Sequence, residues 1–85
     1  MSLDKLEKEA REVGGRIETT NSTIRLVFGK RGFALADLSA EALKAIKEFK
    51  EVIIVEEGAG EKGSNYYYYV KLDEINKLLQ SKKSK

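Results

Sequence analysis

Val52, Ile53, Ile54 and Val55 form an unbroken run of four β-branched residues, and no other stretch of this 85-residue chain limits its fold so sharply. Branching at Cβ restricts χ1 and suits the pleated surface of a sheet better than that of a helix. The run is too short for a helix of its own. Successive strand residues point to opposite faces, so apolar side chains at both parities ask for cover on both sides. The run therefore predicts a strand buried on both faces and central in a sheet.

The flanking segments supply its neighbours. Leu3, Leu6, Ala10 and Val13 recur at three- and four-residue spacing, which marks one apolar stripe of an amphipathic helix. Ser2 or Asp4 can cap its start, and Gly14 and Gly15 stop it. Residues 16–20 are β-prone, Asn21 and Ser22 suit a tight turn, and residues 23–28 alternate. Ile24, Leu26 and Phe28 are expected to face the core, with Thr23, Arg25 and Val27 outward. A loop follows at 29–32, and residues 33–36 read either as a short strand or as the approach to the next helix. Leu38, Ala42, Ala45, Ile46 and Phe49 share one face of that helix, opposite Glu41, Lys44, Lys47 and Glu48, with Asp37 or Ser39 as its cap.

After the central strand and a glycine-rich loop at 58–65, residues 66–71 are strongly β-prone. A last helix begins near Asp73, with Ile75, Leu78 and Leu79 apolar. The order α-β-β-α-β-β-α makes a small α+β domain of two layers, about four mostly antiparallel strands with helices on one face. Residues 1–80 form the single domain, and residues 81–85 form a flexible basic tail with nothing to bury.

Composition narrows the chemistry. The chain has no cysteine and no histidine, which removes disulfides, thiolate metal sites and the commonest general base. A metal site would need carboxylates alone, so no metal and no cofactor is expected. Serine and threonine have no histidine to activate them, so we expect no catalysis. The segment 1–10 is charged and lacks the apolar run of a signal peptide, and no stretch approaches the roughly 18 apolar residues of a membrane span. The expected location is the cytoplasm, with no membrane partner, and the wealth of Lys, Arg and Glu suits a thermophile.

The net charge of +2 is too small to announce a polyanion partner by itself. Its distribution is more telling. Residues 16–33 carry Arg16, Arg25, Lys30 and Arg31 against Glu18 alone, while residues 51–62 carry Glu51, Glu56, Glu57 and Glu61 against Lys62. Within the latter, Gly58, Gly60 and Gly63 match the letters of a dinucleotide-binding glycine loop. A strand follows instead of a helix, so a phosphate would meet no helix amino terminus, and the loop reads as a hairpin tip.

Tyr66, Tyr67, Tyr68 and Tyr69 are the most unusual feature. If Val70 and Leu72 face inward, parity sends Tyr66 and Tyr68 to the core and Tyr67, Tyr69 and Lys71 outward. Aromatic rings beside cations make a platform for unpaired bases. The leading expectation is accordingly a small non-catalytic nucleic-acid-binding domain, with a regulatory role among its uses. Arg16, Arg25, Lys30, Arg31, Tyr67, Tyr69 and Lys71 would be its contact residues. The alternative is a protein-interaction module, or a homodimer, using the same face. A third reading rests on outline: helix 39–50 followed by the hairpin 52–71 resembles the wing of a winged-helix DNA-binding module. That resemblance implies phosphate contacts at Lys44, Lys47 and Lys50, with Lys62 at the wing tip.

Overall fold

The β-branched run does lie inside a sheet. The computed structural model describes residues 3–29 and 35–83. Its elements are α1 (Leu3–Glu12), β1 (Arg16–Thr19), β2 (Thr23–Phe28), α2 (Ala40–Lys47), β3 (Glu51–Glu56), β4 (Tyr66–Val70) and α3 (Leu72–Lys83). The strands are ordered β1-β2-β3-β4. β1 with β2 and β3 with β4 pair antiparallel through short connections, while α2 carries the chain back so that β2 and β3 run parallel. This is the expected α+β domain, antiparallel in two of its three pairings.

The two parities of the strands separate two cores. Ile24, Leu26 and Phe28 of β2, Val52 and Ile54 of β3, and Val70 of β4 pack with Leu6, Ala10, Leu43, Ile46, Ile75 and Leu79 from the helices. Val27, Ile53 and Val55 form a second, smaller cluster on the opposite face. All four residues of the run are buried, though helices cover only one of its sides.

Gly14 and Gly15 do more than stop α1. Gly14 takes the left-handed conformation, φ 83°, and Gly15 N–H returns to the Ala10 carbonyl at 2.8 Å. Any Cβ on Gly15 would overlap the Phe28 ring and approach the Val27 carbonyl oxygen to 2.7 Å, so the missing side chain leaves the space that the ring fills. Ser39 caps α2 as expected, accepting from the Ala42 amide at 3.2 Å. It also ties α2 to α1, because its amide and hydroxyl donate to the Glu9 carboxylate at 2.9 and 2.6 Å. Burial alone would raise the Glu9 carboxyl, but the two Ser39 hydrogen bonds, together with the charges of Lys5 and Lys82, outweigh it and hold the group below its ordinary value of 4.5. A depressed folded-state pKa means this contact stabilises fully above that value and is lost as pH falls through the lower folded one.

Several expectations change. Residues 35–37 form a 3-10 turn, so that stretch is the approach to α2, while Phe33 and Ala34 lie outside the described residues. α3 begins at Leu72 and remains helical through Lys83, with Lys82 Nζ donating to the Ala36 carbonyl at 3.0 Å. Leu72 was expected inward and is 54% exposed, because the first turn of α3 lifts it off the sheet. Tyr66 and Tyr68 do sit on the helix side, yet they are 53% and 42% exposed. β4 is an edge strand, and α3 leaves an apolar groove of about 460 Å³ beside it, lined by Leu35, Ile54, Tyr66, Tyr68 and Leu78. The hairpin 52–71 is not a detached wing, since β3 is an interior strand bonded to β2 along its length.

Candidate binding face of the sheet

Strand register brings together on one open face four of the side chains expected to form a site. One row across the sheet runs Arg16, Val27, Val55, Tyr67, and the next runs Glu18, Arg25, Ile53, Tyr69. Thr23 and Glu51 face each other in the row beyond, where the Thr23 hydroxyl donates to the Glu51 carboxylate at 3.1 Å. Lys71 is exposed one residue past β4. Lys30 and Arg31 lie outside the described residues.

The middle of this face is aliphatic and nearly closed to water. Val27, Ile53 and Val55 are only 3–5% exposed, although among the described residues the helices pack on the other face. Their neighbours along each row are the long stems of Arg16 and Arg25 and the rings of Tyr67 and Tyr69. Amphipathic side chains of this kind cover apolar surface with stem or ring while the polar end stays wet. The tyrosines at one side and arginines at the other thus roof a small second core.

The arginines are not free cations. Arg16 donates to Glu18 at 3.2 Å and to Glu57 at 3.3 Å, and Arg25 lies 4.0 Å from Glu18. The hydrogen bond to Glu57, then that to Glu18, raises the Arg16 guanidinium above its ordinary value. Among the described residues of this face Arg16, Arg25 and Lys71 are set against Glu18, Glu51 and Glu57, three charges of each sign. Acidic partners were visible in the sequence only as letters. Their position beside the arginines depends on β1–β2 register and on the β3–β4 turn bringing Glu57 back to β1. A shallow depression of about 310 Å³ opens between Arg25, Thr23, Glu51, Ile53 and Tyr69.

The glycine-rich loop is folded on itself. Gly60 N–H donates to Ser64 O at 2.7 Å, Gly63 N–H to Gly60 O at 3.2 Å, Ser64 N–H to Glu61 O at 3.0 Å and Gly58 N–H to Asn65 Oδ1 at 3.3 Å. Four amides that a phosphate cradle would use are already engaged. Lys62, at the tip, adopts φ 57°. On the helix side of β4 the Tyr68 hydroxyl donates to Glu74, and that bond holds its pKa above the ordinary value. Among the described residues no group of acidic side chains is arranged to hold a metal ion. Among the described residues no helix is long and apolar enough to cross a membrane. No family model, curated protein or solved structure matches the chain.

Proposed function

We propose that this protein is a non-catalytic interaction domain that docks a partner protein on the open face of its sheet. The observation that carries the reading is the make-up of that face: two tyrosines and two arginines around an aliphatic floor, with the arginine charge cancelled by Glu18 and Glu57. Tyrosine and arginine are the residues enriched in protein interfaces, where apolar centres are ringed by paired polar groups. The partner this chemistry fits offers an apolar side chain to the depression beside Ile53 and Tyr69, with groups of both charge signs around it to meet Arg25, Glu18 and Glu51.

A single strand of nucleic acid is the second reading, and Lys71 favours it. That lysine is exposed beside Tyr69 and makes no ion pair with a described residue. The paired arginines weigh the other way, because each would have to leave a carboxylate before neutralising a phosphate, and the carboxylates left behind would repel the strand. Fluorescence anisotropy of labelled single-stranded DNA, duplex DNA and RNA separates the two. A protein-docking face predicts no saturable binding at low salt. Micromolar binding that weakens about tenfold or more between about 50 and 200 mM salt would show phosphate neutralisation and overturn the proposal.

A further inference from the structure

The two edges of the sheet are built differently. β1 is four residues long and carries Arg16 and Glu18, the kind of charged, short edge that resists pairing with another chain. β4 is five residues long, Tyr66–Val70, and carries no charge and no proline. Among the described residues no charge or proline on the strand and no further strand protects it.

Hydrogen-bond direction can be traced across the sheet. Glu51 N–H donates to Ser22 O at 3.0 Å and Glu57 N–H to Phe28 O at 2.8 Å, so odd-numbered residues of β3 bond toward β2 and even-numbered ones toward β4. In the antiparallel pair of β3 and β4, the bonded couples are therefore Val52 with Val70, Ile54 with Tyr68 and Glu56 with Tyr66. The main-chain N–H and C=O of Tyr67 and Tyr69 point the other way, out of the edge. No turn, loop or side-chain hydrogen bond among the described residues uses them.

We propose that β4 pairs antiparallel with β4 of a second copy of this chain, about a twofold axis at Tyr68, to give one continuous eight-stranded sheet. The strand is complementary to itself in that register. Tyr67 of one copy bonds Tyr69 of the other in both directions, and the symmetric couple repeats it, so all four outward groups on each strand find partners. Tyr68 meets its own symmetry mate at the axis. No charged side chain of the strand faces a like charge, and every couple at positions 67–69 is aromatic on aromatic, a favourable cross-strand pairing.

The available area fits a small dimer. The four tyrosines are 42–62% exposed. Taking a tyrosine surface as roughly 230 Å², the exposed parts of the four rings come to roughly 450–500 Å² on each copy, which is the most they can contribute toward the ~1,000 Å² of a specific interface, because Tyr67 and Tyr69 also face the open side of the sheet. The groove between β4 and α3 lies along the same edge, and its Leu35, Ile54 and Leu78 lining is apolar surface beyond the four rings. A foreign strand could use the same main-chain groups, but self-pairing alone places an uncharged tyrosine opposite each tyrosine without requiring a matching sequence elsewhere. The main-chain edge is distinct from the open face, although the rings of Tyr67 and Tyr69 border both; the pairing uses their main-chain groups, and sedimentation of the purified chain reads it with no other partner present.

Sedimentation of the purified chain from low to high micromolar concentration tests it. The wild type is expected to convert from monomer to dimer across that range. Tyr67→Pro removes an outward amide that β3 does not use, and Tyr68→Lys sets like charges at the axis. Each should raise the dimer dissociation constant at least about 30-fold while circular dichroism shows the fold retained. Thr19→Pro, on the opposite edge, should leave dimerisation unchanged. Because the chain has no native cysteine, Tyr68→Cys should give a disulfide-linked dimer on mild oxidation while Tyr66→Cys should not. A wild type that stays monomeric throughout, or a dimer indifferent to Tyr67→Pro and Tyr68→Lys, would overturn the proposal. Equal crosslinking from positions 66 and 68 would overturn the register.

Discussion

Replacing Phe28 by alanine is expected to remove about 3–5 kcal/mol of stability, the range for deleting a large buried ring and leaving a cavity. Phe28 is 2% exposed and is among the largest fully enclosed side chains. It closes the end of the main core where three pieces of chain meet: the helix stop at Gly14 and Gly15, the start of β1, and the end of β2. Collapse into the cavity is hindered because the floor under the ring is backbone, which cannot move in as a side chain could. A domain of this length has a total stability of about 4–13 kcal/mol, so the variant should be partly unfolded at ambient temperature or melt at least about 15 °C lower. Urea denaturation with an unchanged slope checks this. A loss under about 1 kcal/mol would mean that the ring is not seated against Gly15.

The second large effect concerns the tyrosines of the open face. Tyr67→Ser and Tyr69→Ser together are expected to lower stability by about 2–4 kcal/mol, since each ring keeps roughly half its surface against Val27, Ile53 and Val55 or its cross-strand neighbours. Thermal melting of the free domain reads it. Tyrosines that serve solely as ligands for a partner would leave the melting temperature where it was. A loss of the expected size means the two rings hold the second core closed, so variants that probe binding need substitutions that keep a polar stem over that core, such as Arg25→Gln.

Much of this arrangement was legible in the residues because side-chain parity is a local property. The alternation of residues 23–28 and the inward Val70 assigned Arg25, Val27, Tyr67 and Tyr69 to the open face, and the strands place them there. Apolar spacing in α1 and α2 found Leu6, Ala10, Ala42, Ala45 and Ile46, which are buried, while Leu3 and Val13, at the two ends of the first stripe, are exposed. What stayed hidden depends on pairings between distant segments. Parity fixes a face but not a neighbour, so the same pattern allows β4 at an edge or in the middle. That ambiguity is why Tyr66 and Tyr68 were expected in the core and are exposed at the rim. Glu18 and Glu57 stood in the sequence as unremarkable acids until register and the β3–β4 turn set them on Arg16. The seat that Gly15 makes for Phe28 likewise exists only once Arg16 is paired with Val27.

The open face is the proposed docking surface, and site-directed photocrosslinking in the protein's own cells tests it most directly. A chain carrying p-benzoylphenylalanine in place of Tyr69 keeps an aromatic ring at the depression, and one carrying it in place of Lys44 puts the same reagent on the exposed side of α2. Besides the product with a second copy that the Tyr67–Tyr69 couple allows, position 69 is expected to give a discrete product in which mass spectrometry finds a protein other than this chain, absent from position 44 and lost when Arg25→Gln is added. Crosslinks from position 69 to nucleic acid, or the same products from both positions, would contradict it.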